Sequence, residues 1–461
     1  MIRRIIAPAV LAAAIAIAPG RALGNGRAPG TSSITFQQGH EQNIVAGMTF
    51  GVLISHDGGK TWAWMCEDAI GYKGTYDPRY TYTGTGALFA TTFNGLKVMR
   101  DSCTFGDTTE GSKFVSASAL GPDQAFYYAA SQTTDMAHGV MSDFQIYKSV
   151  NDGVTFPNPT RPDDPADTNV WWESLVIAPS SAQTVYLSGY RYIPNPTGGT
   201  LRDHMLFRSD NAGASWTALV KTGQPAGFTL MANSVIDIVG IAREDPRHVY
   251  ARVELVDNTL SDAIFVSTDA GVSWKEIRRK TATIGAFVVR AAVNGAGKHD
   301  LVLGTQALGT EVSHDDGTSW TLLAGAPHVN CLTENAAGEL WACTQNYGFS
   351  GVGSDDAGIM KTTDLVTWSK VLHYQDLTDA VSCAAGTIQH DTCAAMWCTV
   401  CMQLGCTASA SYSCPVASEA PTMTPPPSKG CCDTGASPSG PLALGLTVAM
   451  VVLRPRRRRA R

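Results

Sequence analysis

Seven copies of one short motif, spaced about fifty residues apart, constrain this chain more than any other feature. The fullest copy is Ser55-His56-Asp57-Gly58-Gly59-Lys60-Thr61-Trp62, a Ser-x-Asp-x-Gly-x-Thr-Trp box. It returns as Ser267 to Trp274 around Asp269 and as Ser313 to Trp320 around Asp315. Two copies carry asparagine in the acidic slot, Asn151 and Asn211, and two shortened copies around Asp101 and Asp364 lack the glycine. Successive anchors at 57, 101, 151, 211, 269, 315 and 364 are 44, 50, 60, 58, 46 and 49 residues apart. Such a period is too long for one hairpin and suits a four-stranded blade. The chain therefore reads as all-β, a seven-bladed β-propeller.

Each box is a hairpin turn with fixed chemistry. An Asp or Asn oxygen accepts backbone N–H groups a few residues on, Gly supplies positive φ, and the closing Trp or Phe buries an apolar face. Asn151 and Asn211 keep the acceptor oxygen. The boxes resemble the Asp-box (BNR) repeats of sialidases, sortilin-type receptors and xyloglucan-hydrolysing propellers. In those families the box joins the third and fourth strands of a blade at the rim, away from the ligand. The resemblance thus implies architecture, over residues 31–373, and leaves the chemistry open.

Both ends carry processing signals. Met1-Ile2-Arg3-Arg4, the apolar run Ile5 to Ala18 and the small-residue stretch to Gly24 read as a secretory signal peptide over 1–24. At the other end Cys431-Cys432 precede small residues, the apolar run Leu442 to Leu453, and six arginines. That run of 12 residues is short of the roughly 20 a spanning helix needs. The segment 431–461 resembles a myxobacterial C-terminal sorting signal, which implies sorting machinery as a partner and Cys431 or Cys432 as the processing and anchoring point. An unprocessed tail anchor is the alternative, and either way the protein is exported and held at the envelope surface. Processing removes nine of 34 basic and one of 40 acidic side chains, leaving 25 against 39, a net charge of −14. Such a domain does not read as a nucleic-acid binder and repels anionic lipid.

Twelve cysteines in an exported chain imply disulfides before metals. Cys331 and Cys343 flank the turn Asn335 to Gly338 symmetrically and are expected to pair across a hairpin. Cys66 and Cys103 are left to pair by exclusion. Six more, Cys383, Cys393, Cys398, Cys401, Cys406 and Cys414, are expected to form three bridges among themselves in a Cys-rich stalk over 374–416, followed by a Pro/Ser/Thr linker over 417–430. No cofactor and no metal are expected. Asp315-Asp316-Gly317 and Asn151-Asp152-Gly153 look like calcium loops, but both lie inside boxes and lack EF-hand spacing.

Strand-like segments precede every box. Glu173 to Ala178 and Val185-Tyr186 align with Asp237 to Ala242 and Val249-Tyr250 at a constant offset of 64, marking inner strands of neighbouring blades. Loops are expected at Tyr72 to Tyr82, Pro157 to Asn169, Tyr190 to Asp203 and Asn346 to Asp356, where recognition concentrates on a rigid scaffold. Sialidase chemistry is disfavoured: only Arg27 precedes Ser55 in the mature chain, and Arg191-Tyr192-Ile193-Pro194 lies three blades too late. A glycosidase needs only two carboxyl groups across a cleft. Glu173 and Asp237 are the candidate pair, with Trp171, Trp172, Tyr80 and Tyr82 as candidate sugar-stacking residues; the competing reading is blade packing. The favoured expectation is a monomeric scaffold that binds a glycan, peptide or protein, with an extracellular xyloglucanase-like hydrolase as the alternative.

Overall fold

The computed structural model describes residues 27–412 and 414, apart from 73–76, 93, 110–113, 132–143, 164–166, 168–169, 197, 291–298 and 349–350. The signal peptide, the linker and the sorting segment with Cys431 and Cys432 lie outside the described residues.

Short strands alternate with the turns that the boxes encode, giving seven antiparallel sheets. Blade one holds β1 (Thr31–Phe36), β2 (Ile44–Met48), β3 (Gly51–Ser55) and β4 (Ala63–Met65). The short helix α1 (Glu67–Ile70) leads to blade two: β5 (Arg79–Tyr82), β6 (Leu88–Thr92), β7 (Gly95–Met99) and β8 (Phe105–Asp107). Blade three has β9 (Val115–Leu120), β10 (Phe126–Ala130) and β11 (Ile146–Ser149). Its fourth position is one antiparallel bridge, Ile146 to Thr160. Pro157 and Pro159 remove the N–H donors a longer edge strand would use.

Blade four is β12 (Val170–Ala178), β13 (Ser181–Pro194), β14 (Thr200–Ser209) and β15 (Thr217–Val220). Blade five is β16 (Val235–Ile241), β17 (Val249–Glu254), β18 (Asp262–Ser267) and β19 (Lys275–Lys280). Blade six is β20 (Ile284–Val289), β21 (Leu301–Thr305), β22 (Gly309–Ser313) and β23 (Thr321–Leu322). Blade seven is β24 (Cys331–Glu334), β25 (Leu340–Cys343), β26 (Ile359–Thr362) and β27 (Ser369–Leu372). The first strand of each blade touches the first strands of both neighbours, closing a ring around the axis.

Every box joins the third and fourth strands of its blade or stands at that position. In blade one the Ser55 hydroxyl donates to Asp57 Oδ1 (2.9 Å) and accepts from Gly59 N–H (2.9 Å). Asp57 Oδ1 accepts from the N–H groups of Lys60 (3.0 Å) and Thr61 (2.9 Å), and Oδ2 from the Thr61 hydroxyl (2.7 Å). Trp62 closes the turn by donating its indole N–H to the Gly59 carbonyl (3.0 Å). In blades three and four Oδ1 of Asn151 and Asn211 accepts the same backbone N–H, while Nδ2 donates to the Thr155 or Ser215 hydroxyl. The shortened boxes keep the anchor: Asp101 accepts from Cys103 and Thr104, Asp364 from Val366 and Thr367.

The segment after residue 373 corrects the expected stalk. Instead of standing off, it packs on the rim of blades one and two. The strand β28 (Asp379–Ala380) adds in parallel to the outer edge of β4. The helix α2 (Ala394–Leu404) stacks Trp397 on Trp64, ring centroids 5.4 Å apart, inside the core of blade one. Cys66 is bonded to Cys393 and Cys103 to Cys383, so the expected Cys66–Cys103 pair does not form. Within the segment the bridges are two, Cys398–Cys414 and Cys401–Cys406. The physical reason is that Cys66 follows the outer strand of blade one and Cys103 lies in the box turn just before the outer strand of blade two, both beside the returning segment. Cys331–Cys343 forms as expected, across a directly paired position of β24 and β25. Among the described residues no helix is long and apolar enough to cross a membrane.

Candidate functional site

Antiparallel order puts the boxes and the turns between first and second strands on one face of the disc. The opposite face holds the starts of first strands and the turns between second and third. Glu173 and Asp237 are on that opposite face, near the starts of β12 and β16. Their equivalence follows from the offset of 64 read in the sequence.

Glu173 is the extra residue of a β-bulge. Trp172 pairs with Gly189 and Ser174 with Ser188, which leaves Glu173 without a partner position on β13. Bulges re-aim a side chain locally, and the Glu173 carboxyl lies within electrostatic reach of Asp237 and Glu254 of blade five, Arg202 of blade four and Arg79 of blade two. Its Oε1 is shut off from solvent and has no hydrogen-bond partner, although the residue as a whole keeps some exposure. Burial raises the Glu173 carboxyl well above the usual carboxylate range, and the charges of Asp237 and Glu254 raise it further.

Asp237 has a different environment. It sits opposite Arg252 in the β16–β17 ladder, and the guanidinium donates to its Oδ2 (2.9 Å). Arg252 also pairs with Glu254 and donates to the Ile284 carbonyl of blade six (2.6 Å). Asp262 completes the group, accepting from the N–H of Ile284 (2.9 Å) and of Leu255 (3.2 Å). Burial raises its carboxyl as well. Arg252 thus serves several acids and leaves Glu173 Oε1 without a hydrogen-bond partner.

Next to this group β13 and β14 outgrow the blade. They span 14 and 10 residues, against four to six for the second and third strands elsewhere. The region expected as a loop from Tyr190 to Asp203 is in fact a ladder that runs to the pair Pro194–Thr200. Arg191 braces it against Asp167 (2.6 Å) and Asp203 (2.9 Å). Arg202 lies over the Tyr190 ring (4.6 Å) and donates to the Asn233 carbonyl (2.6 Å), tying the arm to blade five. Tyr190 and Tyr192 meet edge to face, and both Tyr192 and Arg202 are half-buried.

The expected stacking residues are mostly core. Trp172 is fully buried, its indole N–H donating to the Phe144 carbonyl (3.0 Å). Tyr80 and Tyr82 lie in β5 and are buried too. Strand alternation at an inter-blade seam turns these rings inward, so none of the three presents a face to a sugar. Trp171 alone is half-exposed, tilted against Phe114 at 5.0 Å. The sequence reading missed Arg252, Glu254, Tyr190 and Arg202. Arg252 and Glu254 were legible as residues two apart on one face of a strand whose partner carries Asp237.

No family model matches the chain, and no curated protein matches it. Several solved structures align with part of it. An extracellular domain from B. thetaiotaomicron is 13% identical, covering 70% of this chain and 38% of that one, with a TM-score of 0.46. The GH74 xyloglucanase from Xanthomonas campestris is 14% identical over 73% of this chain and 57% of its own, TM-score 0.38. YCF48 from Cyanidioschyzon merolae is 12% identical over 68% and 92%, TM-score 0.41. This chain spans less than two thirds of the first two proteins, and at these identities the likeness speaks to the fold alone.

Proposed function

We propose that this is an exported, surface-held propeller that binds a glycan, peptide or protein ligand on the face opposite the boxes. The observation that carries the reading is the braced β13–β14 arm beside Glu173. A rigid arm with half-buried Tyr192 and Arg202 is organised before a ligand arrives, which lowers the ordering cost of association. Five disulfides fit an oxidising compartment. Export through residues 1–24, anchoring through Cys431 or Cys432 by sorting machinery, the domain limits read from the sequence, and a monomeric state belong to the same proposal.

Binding of the mature protein to immobilised polysaccharides and surface-protein extracts, with Tyr192→Ala and Arg202→Ala alongside, tests it. Each substitution is expected to weaken a saturable interaction at least about tenfold, the loss of one interface anchor. Folded variants that bind like the parent protein would remove the arm from the reading.

A second reading rests on one further observation: burial raises the Glu173 carboxyl well above the usual carboxylate range, while neighbouring Asp237 is salt-bridged to Arg252. Two carboxyl groups in contrasting environments are what acid–base hydrolysis of a glycoside uses. Release of reducing ends from a polysaccharide, abolished in both Glu173→Gln and Asp237→Asn, would establish the hydrolase. No release from any polysaccharide leaves the binding role.

A further inference from the structure

The box face carries a cluster that neither reading uses. Glu244 and His248 belong to the turn between β16 and β17 of blade five, His299 to the approach to β21 of blade six, and Asp316 to the box of blade six. One ligand atom each from His248, His299 and Asp316 falls within 4.8 Å of the others. Asp316 is left-handed (φ 56°), a conformation the box turn imposes, and this swings its carboxylate towards blade five.

The donor set is unbalanced. Asp316 Oδ1 already accepts from the backbone N–H of His299 (2.9 Å) and from the Tyr250 hydroxyl (3.1 Å). His299 Nε2 lies 2.9 Å from Glu244 Oε2, and its Nδ1 lies 2.9 Å from the same Asp316 oxygen. With Nε2–H donating to Glu244, the Nδ1 lone pair faces the Asp316 oxygen. The Nε2 of His248 is closed to solvent and has no hydrogen-bond partner. The His248 ring is held in place, stacked on Tyr250 and edge-on to His299, with centroids 5.0 and 5.1 Å apart.

We propose that His248, His299 and Asp316 bind a Zn2+ ion that pins blade five to blade six. Two imidazoles and a carboxylate suit a borderline divalent ion, and three protein ligands leave a fourth position for water. Glu244 against the far nitrogen of His299 is the outer-shell carboxylate that fixes tautomer and ring orientation in many histidine–metal sites. The sequence reading expects no metal: Asp316 lies inside a box without EF-hand spacing, and His248 comes from the neighbouring blade.

The test uses the untagged full chain stripped with a chelator. Zinc is titrated in competition with a chromophoric chelator, and Co2+ is added separately to read the ligand field by visible absorption. One Zn2+ per chain is expected, with a rise in melting temperature and Co2+ bands of a nitrogen- and oxygen-ligated low-coordinate site. His248→Gln and Asp316→Asn should each weaken binding at least about tenfold and remove the thermal shift. Asparagine tolerates the left-handed turn, so the second variant remains informative if the first does not fold. Substoichiometric zinc, or variants that bind zinc as tightly as the parent, would overturn the site.

Discussion

A single oxygen decides each box. Asp57, Asp269 and Asp364 are all pushed down to about 2. For Asp269 the Ser273 hydroxyl and then the Ser273 N–H hold the charged form; for Asp364 it is the N–H groups of Thr367 and Val366. At Asp57 slight burial opposes the shift, and the Thr61 N–H and hydroxyl with the Ser55 hydroxyl outweigh it. A folded-state value below the ordinary 3.8 means stability that is complete above 3.8 and lost as pH falls through about 2. Asn151 and Asn211 show that an amide can replace the carboxylate. Asp269→Asn is therefore expected to fold normally and to lose less melting temperature than the parent protein between pH 4 and pH 2. Thermal scans across that range check it; equal slopes would mean that the box carboxylates do not drive acid unfolding. This chemistry was legible from residue types alone, because every partner lies within four residues. The state of Glu173 was not, because its partners come from β16 and β17 of the next blade.

At the level of elements, the box glycine is a socket. Gly317 (φ 83°) would place a Cβ 2.6 Å from Ile277 Cδ1 of blade five, and Gly153 (φ 72°) one 2.5 Å from the Phe89 ring of blade two. Gly59 likewise faces Trp341 of blade seven, and Gly271 faces Leu219 of blade four. Each box thus seats on the preceding blade, which is why the repeat sets the assembly of blades as well as the turn. Gly317→Ala combines strain at positive φ with overpacking and should cost about 2–4 kcal/mol. Gly58→Ala (φ 76°), which meets no atom within 4 Å, should cost only about 1 kcal/mol. Urea unfolding of the two variants separates the terms, and equal losses would remove the socket. Blade count and strand pairs were readable because box and strand recur together. The β13–β14 arm was not: Pro194, Asn195, Pro196 and Gly198-Gly199 advertise a turn and conceal that the ladder continues right up to it.

Across the whole molecule, the four antiparallel strands of the first and of the last blade each come from one continuous stretch of chain, and the two chain ends share a sheet only where β28 adds to β4. Closure comes from contacts: Phe36 edge-on to Trp341 at 5.2 Å, the Thr31 hydroxyl 2.7 Å from the Tyr374 hydroxyl, and the returning segment on blade one. Cys66–Cys393 and Cys103–Cys383 make that return covalent over 327 and 280 residues. Replacing Cys66 and Cys393 together by alanine should cost about 3–5 kcal/mol. Replacing Cys331 and Cys343, which close only 12 residues, should cost less. Denaturant midpoints of the two double variants check the order, and the reverse order would mean that the ring is held by packing alone. Cysteine order along the chain concealed this arrangement, since pairing follows where the last segment lands.

The same two bonds alter what a protease can achieve. A cut anywhere between residues 104 and 382 opens a peptide bond but releases no fragment, because Cys103–Cys383 still joins both pieces. One loop in that span can therefore be clipped while the seven blades remain covalently one molecule.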